Sequence, residues 1–392
     1  MFPGNRAVRV CRYETQGGVL SRLILAINPG STSDEISLFN GEEQVFRRTT
    51  RYSPPDLARF DGKKITAQYH FRKDFVLKVL RDEKVDIGKL DAVIGRGGLL
   101  KPIPGGTYEV NDRMAKDLEN GVLGDHASNL GGLIAREIAI RAGTRAFIAD
   151  PVVVDEMEPL ARYSGMPENP RLSIFHALNQ KRTARLAAEK IGKPYEECRF
   201  IVMHAGGGIS VGAHSNGKVV DVNNALDGEG PFTPQRSGGV PSGGLAKMCF
   251  SGKYDHGAVK AKIKGKGGLT AYTGTSDCKA LNEYILRGVV TPGAGLDPSV
   301  TTREAARESL LAMSYQISKE ICAMAAVLKG RIDAIILTGG LAYDDEIVIP
   351  DIRERVGWLA QILVFPGGDE MRALRDAAEM ALTEPGSIKQ YI

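Results

Sequence analysis

Two stretches of the chain carry the same strand and turn pattern, and this duplication constrains the fold more than any other feature. In each stretch an apolar strand leads into a turn of small residues, a second strand follows, and an Asn-Gly pair marks a hairpin to a third strand. Gly206 lies 176 residues after Gly30, and Asn216 lies 176 residues after Asn40. A constant offset at both points indicates an internal repeat. The chain is therefore predicted to contain two related lobes.

The two small-residue turns are candidate phosphate-binding loops. They read NPGSTS at positions 28–33 and HAGGG at positions 204–208. Small residues let backbone N–H groups and hydroxyls converge on a phosphate. Each turn alone is more typical of an ordinary hairpin, but the pairing at one offset favours two lobes that grip one polyphosphate. The nucleotide-binding positions predicted in these turns are Asn28, Gly30, Ser31, Thr32, Ser33, Gly206, Gly207 and Gly208.

The rest of the chain alternates helices and strands. Apolar strands are predicted at 92–94, 146–149, 334–337 and 362–365, and apolar residues recur at helical spacing over 304–328. A meander followed by helix–strand alternation, twice over, predicts two mixed sheets flanked by helices, with the ligand in a cleft between them. Thr338, Gly339 and Gly340 end one of these strands and are further nucleotide-binding candidates. No G-x-x-x-x-G-K-[ST] string occurs, which disfavours a Walker-type nucleotide fold.

Composition excludes several classes of partner. The 51 basic residues nearly balance the 47 acidic ones, so no nucleic-acid partner is expected. No apolar run reaches 18 residues, so no membrane association is expected. The five cysteines are scattered without C-x-x-C spacing, which is typical of reduced thiols in a cytoplasmic protein. Residues 1–22 precede the first strand and are predicted to form a flexible extension.

Several longer strings share their order and spacing with one known family. They are AINPGSTS (26–33), RGGLLKPIPGGTYEV (96–110), DHASNLGG (125–132), DPVVVDEME (150–158), SIFHALNQK (173–181), HAGGGISV (204–211), VVDVNNALDGEGPFTPQRSGG (219–239) and LTGGLA (337–342). These strings resemble the butyrate kinases of the acetokinase family, within the superfamily of acetate and sugar kinases, actin and the large heat-shock chaperones. The resemblance implies an α/β fold of two duplicated actin-like ATPase (ribonuclease H-like) domains with a central cleft. It implies an N-terminal domain of residues 23–152 plus 371–392 and a C-terminal domain of residues 153–370 that holds the nucleotide.

The same resemblance implies an activity. The expected reaction is reversible, direct phosphoryl transfer between ATP and a small carboxylic acid, butyrate or a similar acid, giving an acyl phosphate and ADP with Mg²⁺. A homo-oligomer, dimer or higher, is also implied. Other interpretations are a kinase for another short-chain or branched acid (isobutyrate, acetate, propionate), a sugar or polyol kinase, a weakly active nucleotide-binding homologue, and a non-enzymatic nucleotide-dependent binding or assembly protein. Acids that differ by a methylene differ by only about 1–3 kcal/mol in an apolar pocket, so the preferred acid stays open.

Family motifs assign roles to particular residues. A loose phosphoryl-transfer transition state needs fixed positive charge, a metal and alignment, and a guanidinium can hold a carboxylate by two hydrogen bonds. The resemblance implies that Arg96 binds the substrate carboxylate and that the transferring phosphoryl group is stabilised by Arg236, His204 and His126. It also implies that Asp150 orients metal-bound water or moves a proton, and that Asn28 and Glu370 bind magnesium. Taken singly, each residue is as typical of an ion pair, a cap or a turn. His176 and Asn179 are predicted to hold the interdomain segment together.

One position departs from the family pattern. The family usually places a lysine two residues after the serine that ends the first turn, whereas here Ser33 is followed by Asp34 and Glu35. A charge reversed at about 6 Å from a polyphosphate costs a few kcal/mol at an effective dielectric constant of about 20. We therefore expect weaker ATP affinity than in a typical relative and expect Glu35→Lys to lower the KM for ATP. An unchanged KM for ATP would contradict this expectation.

Overall fold

The computed structural model describes residues 21–392, which divide into two compact units. The first unit ends at Val154 and also contains Asp369–Ile392, and the second unit is Asp155–Gly368. Positions 1–20 of the predicted extension lie outside the described residues. Within residues 21–392 there is no helix with the length and apolarity that a membrane span requires.

Both units combine strands and helices. The strands are β1 (Leu23–Pro29), β2 (Ser33–Asn40), β3 (Glu43–Arg51), β4 (Ala92–Arg96), β5 (Thr107–Glu109), β6 (Arg145–Ala149), β7 (Arg199–Ala205), β8 (Ile209–Ser215), β9 (Lys218–Val222), β10 (Ala334–Gly339) and β11 (Ile362–Pro366). The helices are α1 (Pro54–Ala58), α2 (Tyr69–Asp82), α3 (Asp112–Asn120), α4 (Asn129–Ala142), α5 (Ala177–Ile191), α6 (Ser242–Cys249), α7 (His256–Ile263), α8 (Leu269–Thr273), α9 (Cys278–Arg287), α10 (Arg303–Val327), α11 (Val348–Val356) and α12 (Glu370–Thr383).

The two sheets follow the same path. In the first unit β1, β2 and β3 form an antiparallel meander, β4 and β6 lie parallel to β1, and the order is β3-β2-β1-β4-β6-β5. In the second unit β7, β8 and β9 form the meander, β10 and β11 are parallel to β7, and the order is β11-β10-β7-β8-β9. Only β5 has no counterpart among the described residues. The repeat predicted from the sequence is therefore confirmed as a repeat of topology.

Helices cover both faces of the second sheet. Ile201 and Met203 of β7 pack in one cluster with the apolar side of α10, where Leu310, Met313 and Ile317 are fully buried. Phe200 and Val202 point to the opposite face and pack with alanines of α5. Successive side chains of a strand point to opposite faces, so an unbroken apolar strand is stable only between two layers. This packing fixes the carboxyl ends of β7 and β10, from which the candidate site residues extend.

The meanders differ in register by one residue. The last residue of β1, Pro29, pairs with Asp34, so four residues lie between these two partners. The last residue of β7, Ala205, pairs with Ile209, so only three residues lie between them. The constant sequence offset therefore does not extend to the hydrogen-bond register, and the second turn is tighter than the first.

A half-buried acid on α10 gives a test of stability. Burial, together with the nearby negative charge of Glu229, raises the pKa of Glu320 from 4.5 to about 6. Between these values the folded state binds more protons than the unfolded state, so stability falls as pH rises through this window and the full penalty is present above about pH 6. We expect Glu320→Gln to raise the free energy of unfolding at pH 7.5 by about 1–2 kcal/mol and to have little effect near pH 4.

Urea unfolding of both proteins at the two pH values measures this difference. Glu308→Gln, on the exposed side of the same helix, is the matched control and should change stability by less than about 0.5 kcal/mol. An equal effect of Glu320→Gln at both pH values would contradict the assignment.

Candidate active site

The first unit gathers its candidate residues at the carboxyl ends of parallel strands. β1 ends at Pro29 and β4 ends at Arg96, whose partner on β6 is Ala149, the residue before Asp150. The start of α4 lies directly against the end of β4, since a Cβ atom added to Gly95 would overlap the backbone of Gly131. This close approach, possible only between glycines, fixes the backbone from which Arg96 extends.

Arg96 joins the two predicted magnesium ligands. Its Nη1 donates to Oε2 of Glu370 at 2.9 Å and lies 3.3 Å from Oδ1 of Asn28. Nδ2 of Asn28 donates to the same Oε2 at 2.7 Å. Nε and Nη2 of Arg96 have no protein partner within residues 21–392, and the side chain is 27% exposed. The ion pair with Glu370 therefore leaves one two-donor edge of the guanidinium available to an anion.

His126 lies beside the first turn. Its Nδ1 accepts a hydrogen bond from the backbone N–H of Ser128 at 3.2 Å, so Nε2 carries the proton, and Nε2 lies 3.4 Å from Oγ of Ser31. The short loop before α4 thus brings a donor nitrogen to the predicted phosphate loop.

Asp150 occupies an unusual backbone conformation. Its φ angle is +37°, in the left-handed region that non-glycine residues rarely adopt. Its carboxylate oxygen Oδ1 accepts from the N–H of Gly106 at 2.7 Å, and the residue is only 3% exposed. Such backbone outliers cluster at functional sites, because the surrounding structure has to hold them in place. This favours a specific role for Asp150 over that of an ordinary strand-end cap.

A fully buried arginine on α2 supports the first turn from behind. Arg72 donates through Nη1 to the carbonyl of Gly30 at 2.8 Å and through Nη2 to the carbonyl of Ser31 at 3.1 Å. It also pairs with Asp34, which accepts a second hydrogen bond from the hydroxyl of Tyr52. Asp34 is therefore turned inward. Sequence reasoning missed Arg72, because a lone arginine within a helical stretch carries no signal of its position.

Glu35 is paired on the surface of the sheet. Its carboxylate contacts Nε of Arg47 on β3, and Arg47 Nη1 lies 3.7 Å from the carboxylate of Asp369. Arg47 on β3 therefore offsets the negative charge that Glu35 introduces on β2. Because Glu35→Lys alone would place two cations side by side, the expected gain in ATP affinity is best measured in both the single variant and Glu35→Lys/Arg47→Glu.

In the second unit, four predicted parts of the nucleotide site lie close together: His204, Thr338, the glycine turn and Arg236. His204 of β7 is the direct neighbour of Thr338 on β10, and the glycine turn follows β7. Thr233 Oγ1 donates to the carbonyl of Gly207 at 2.8 Å and so ties the segment before Arg236 to the turn. The guanidinium of Arg236 lies over Gly208, where an added Cβ atom would overlap Nη1.

Arg236 is not part of an ion pair among the described residues. Its Nη1 donates to the carbonyl of Ala225, while Nε and Nη2 have no protein partner within residues 21–392. Burial lowers the pKa of Arg236 from its ordinary value, although the group remains protonated at physiological pH. The charge of Asp227 acts on this half-buried cation, but no carboxylate among the described residues forms an ion pair with it, which fits an anionic ligand better than the surface ion pair that is the default for arginine.

His204 has close partners that the sequence assigned elsewhere. Its ring stacks on that of His176, with 4.0 Å between the ring centroids, and its Nδ1 lies 2.7 Å from Oδ1 of Asn179. His176 and Asn179, predicted only to hold a connecting segment, thus contact a predicted catalytic side chain.

A cavity of about 440 Å³ adjoins the turn after β10, also within the second unit. Its walls include Cys278, Lys279, Asn282, Gly340, Leu341 and Tyr343. Burial raises the pKa of Cys278 to about 12, so its thiol is neutral. Buried oxygens of Asn282 and Asp344 lack hydrogen-bond donors within the described residues. Apart from Gly340, sequence reasoning missed this cavity, because its walls come from separate helices without a motif.

Comparison with known proteins identifies related sequences. Residues 171–361 match the sequence model described as the acetokinase family. A "Probable butyrate kinase" of Elusimicrobium minutum is 56% identical, and "Butyrate kinase 2" of Clostridium acetobutylicum is 50% identical; each alignment covers 94% of this chain and 99% of the relative.

Solved structures show the same fold. The acetate kinase of Porphyromonas gingivalis has a TM-score of 0.73 at 19% identity, with 92% of this chain and all of that chain covered. A propionate kinase of Francisella tularensis has a TM-score of 0.66 at 16% identity, with 91% and 98% covered. These similarities confirm the predicted fold of duplicated actin-like ATPase units. Because two relatives are at least 50% identical over 94% of this chain, and because residues 171–361 match the family model, the chain belongs to the acetokinase family.

Proposed function

We propose that this protein catalyses reversible transfer of the γ-phosphoryl group of ATP to butyrate, giving butyryl phosphate and ADP. The names of its 56% and 50% identical relatives support this reaction. The observation that carries it in this chain is the available two-donor edge of Arg96, since a guanidinium edge of this kind can hold an acceptor carboxylate by two parallel hydrogen bonds. A sugar acceptor would instead need a carboxylate base aimed at a hydroxyl.

The second unit supports the nucleotide side of the proposal. The N–H of Gly206 donates to the carbonyl of Gly208 at 2.9 Å and closes the turn. The backbone N–H groups of Gly207 and Gly208 suit phosphate oxygens, and Arg236 supplies a fixed cation over Gly208. The 440 Å³ cavity is within the size range of small-molecule sites. Its neutral thiol and its unsatisfied oxygens suit a nucleoside, whose amino and hydroxyl groups are donors. We propose that ATP binds along these elements.

Charge and hydrogen bonding define the proposed catalytic roles. Direct transfer spreads negative charge over three equatorial oxygens, and preorganised donors stabilise that charge. Arg236 and His204 in the second unit, with His126 in the first, are the donors proposed for it. Arg96 would hold the acceptor carboxylate, so that one of its oxygens attacks phosphorus as the bond to the ADP oxygen breaks.

Near Arg96, only a few protein oxygens are placed to bind magnesium, so the ion would keep most of its waters. Residues 21–392 contain no cluster of three or more His, Cys, Asp or Glu side chains able to hold a metal. Mg²⁺ keeps most of its waters and is bound by one or two protein oxygens plus phosphate, which fits Glu370 with the amide oxygen of Asn28. Both contacts of Glu370 use Oε2, so Oε1 is available. When bound there, the ion would neutralise phosphate charge, and Asp150 would orient its water shell.

Product trapping tests the reaction directly. The protein is incubated with ATP and straight acids of two to six carbons, isobutyrate or isovalerate, and acyl phosphate is captured as its hydroxamate, with and without Mg²⁺. We expect metal-dependent hydroxamate with butyrate at the highest kcat/KM. A maximum with another acid would reassign the substrate, and ADP release with glucose or glycerol but no hydroxamate would overturn the proposal.

Gly208 offers a test of Arg236 that leaves the arginine in place. Because a Cβ atom at Gly208 would overlap Nη1 of Arg236, Gly208→Ala should displace the guanidinium and lower kcat by about 10²-fold or more, with little loss of stability. Gly207→Ala is the matched control, since its Cβ atom would lie 3.8 Å from Gln235 in ordinary contact. Steady-state kinetics and thermal unfolding of both variants measure the effect. Equal kcat values in the two variants would contradict it.

A further inference from the structure

A continuous buried line of hydrogen bonds ends on His176, the ring stacked on His204. Tyr195 Oη lies 2.8 Å from His214 Nδ1, and His214 Nε2 lies 3.0 Å from Oε1 of Gln180. Nε2 of Gln180 lies 2.8 Å from Ser210 Oγ, which lies 2.8 Å from His176 Nδ1. We call these residues the relay: Tyr195, His214, Gln180, Ser210 and His176. The family comparison and the proposed roles assign nothing to its first four members.

The direction of every hydrogen bond in the relay follows from donor chemistry. An amide oxygen can only accept, so His214 must carry its proton on Nε2, and its Nδ1 must accept from the hydroxyl of Tyr195. The side-chain NH₂ of Gln180 can only donate, and it donates to both Oγ and the carbonyl of Ser210. His214 is completely buried, and burial together with nearby Lys181 and Arg185 lowers its pKa well below 6.5, which agrees with a neutral ring.

The last bond of the relay sets the tautomer of His176. Ser210 is fully buried, and its Oγ contacts the amide of Gln180, the backbone N–H of His176 and Nδ1 of His176. The first two are donors, so Nδ1 is the only acceptor for the Ser210 hydroxyl proton among these contacts. His176 must then be neutral and carry its proton on Nε2.

His204 receives the opposite tautomer. Its Nδ1 faces the amide oxygen of Asn179, which can only accept, so Nδ1 carries the proton. Nε2 of His204 can then gain a proton without breaking the bond to Asn179. His176 can gain one only by reversing the bond to Ser210. Two charged rings stacked at 4.0 Å would repel strongly, so the pair can accept only one added proton readily, and the hydrogen-bond pattern directs that proton to His204.

We infer that Asn179 and the relay are a positioning device that fixes opposite tautomers on the stacked histidines, keeping His176 neutral and leaving His204 as the ring that presents Nε2 to a phosphoryl oxygen. Asn179, Ser210, Gln180, His214 and Tyr195 are positioning residues in this account, because they act through the two rings. The part that concerns phosphoryl oxygen rests on the proposed function. The tautomers themselves do not.

Nitrogen NMR of the ligand-free protein tests the tautomers without any assumption about activity. The chain has only six histidines, so histidine-selective ¹⁵N labelling gives a simple spectrum, and single His→Gln variants at 176, 204 and 214 assign the signals. We expect a neutral Nε2–H ring at His176 and His214 and a protonated Nδ1 at His204. If the unmodified protein showed an Nδ1–H tautomer at neutral His176, or an Nε2–H tautomer at neutral His204, the inference would be wrong.

Paired variants separate positioning from simple packing. Asn179→Asp keeps an acceptor opposite His204 and should keep its Nδ1–H signal, whereas Asn179→Leu should lose it. Ser210→Ala removes the donor to His176 and should allow both tautomers there.

We expect Asn179→Leu to lower kcat by about 10–100-fold with KM for butyrate nearly unchanged, and Asn179→Asp to recover most of that loss. The expected tautomers without any phosphotransfer would reject the proposed function alone; retained Nδ1–H in folded Asn179→Leu would reject the positioning role.

Discussion

Replacing Arg96 with lysine is expected to lower kcat/KM for butyrate by about two to three orders of magnitude. The guanidinium can offer Nε and Nη2 together to a carboxylate while Nη1 stays with Glu370, and a lysine ammonium cannot make both sets of bonds. Each hydrogen bond to a charged group contributes about 1.5–3 kcal/mol, which sets the size of the effect. Initial rates over a range of butyrate and ATP concentrations should place the loss in the KM for butyrate and in kcat, with the KM for ATP nearly unchanged.

The neighbouring strand provides a matched control for this experiment. Arg145 begins β6 and is already paired with Glu109 at 2.7 Å, so it has a structural role. Arg145→Lys should retain kcat/KM within about threefold, since a surface ion pair contributes less than about 1 kcal/mol. If Arg96→Lys behaved like Arg145→Lys, Arg96 would be an ordinary ion-pair partner of Glu370 and the proposed acceptor site would lie elsewhere.

Replacing Arg236 with alanine is expected to lower kcat by about 10³-fold or more while both KM values change little. The proposed role of this cation is to balance charge that develops on the phosphoryl group during transfer, and arginines with that role contribute about 10³–10⁵ in kcat. Its lack of an ion-pair partner in the described part of the chain means that no carboxylate is left unpaired by the change. Added guanidinium ion should restore part of the activity of Arg236→Ala, which initial-rate measurements can detect.

Lys264 is the appropriate control for Arg236. It forms an isolated β-bridge with Arg236, and its pKa is lowered, first by burial and then by the charge of Arg236. Lys264→Ala therefore removes a neighbouring cation but keeps the guanidinium of Arg236, and it should change kcat by less than about fivefold. A loss in Lys264→Ala as large as in Arg236→Ala would mean that general positive potential matters and that the guanidinium of Arg236 has no particular role.

Local sequence patterns predicted the strand ends of the site well. Arg96, Asp150 and Thr338 each follow or end an apolar strand, and parallel strands bring such ends to one edge of a sheet. The helical spacing over 304–328 likewise predicted α10 and its buried face. These features depend on residues close in sequence, which is why one sequence was sufficient to find them.

Pairings between distant residues were not predictable in this way. The Arg72–Asp34 and Arg47–Glu35 pairs decide whether two acidic residues disturb the first turn, and each depends on how separate elements are packed or aligned. The relay was missed for a related reason. Gln180 and His214 are polar residues inside a helix and a strand, and only the three-dimensional packing reveals that they satisfy each other. The single-residue difference in turn register is also invisible to a constant sequence offset.

The position of α12 has a consequence for synthesis on the ribosome. Helix α12 supplies Glu370 to the first unit and packs on β1 and β4, although the whole second unit lies between β4 and α12 in sequence. While translation is still in progress, the apolar strands of the first sheet therefore lack one of their covering helices, and Arg96 lacks its acidic partner. We expect nascent chains that stop before α12 to depend on chaperones and to remain inactive until α12 has been synthesised.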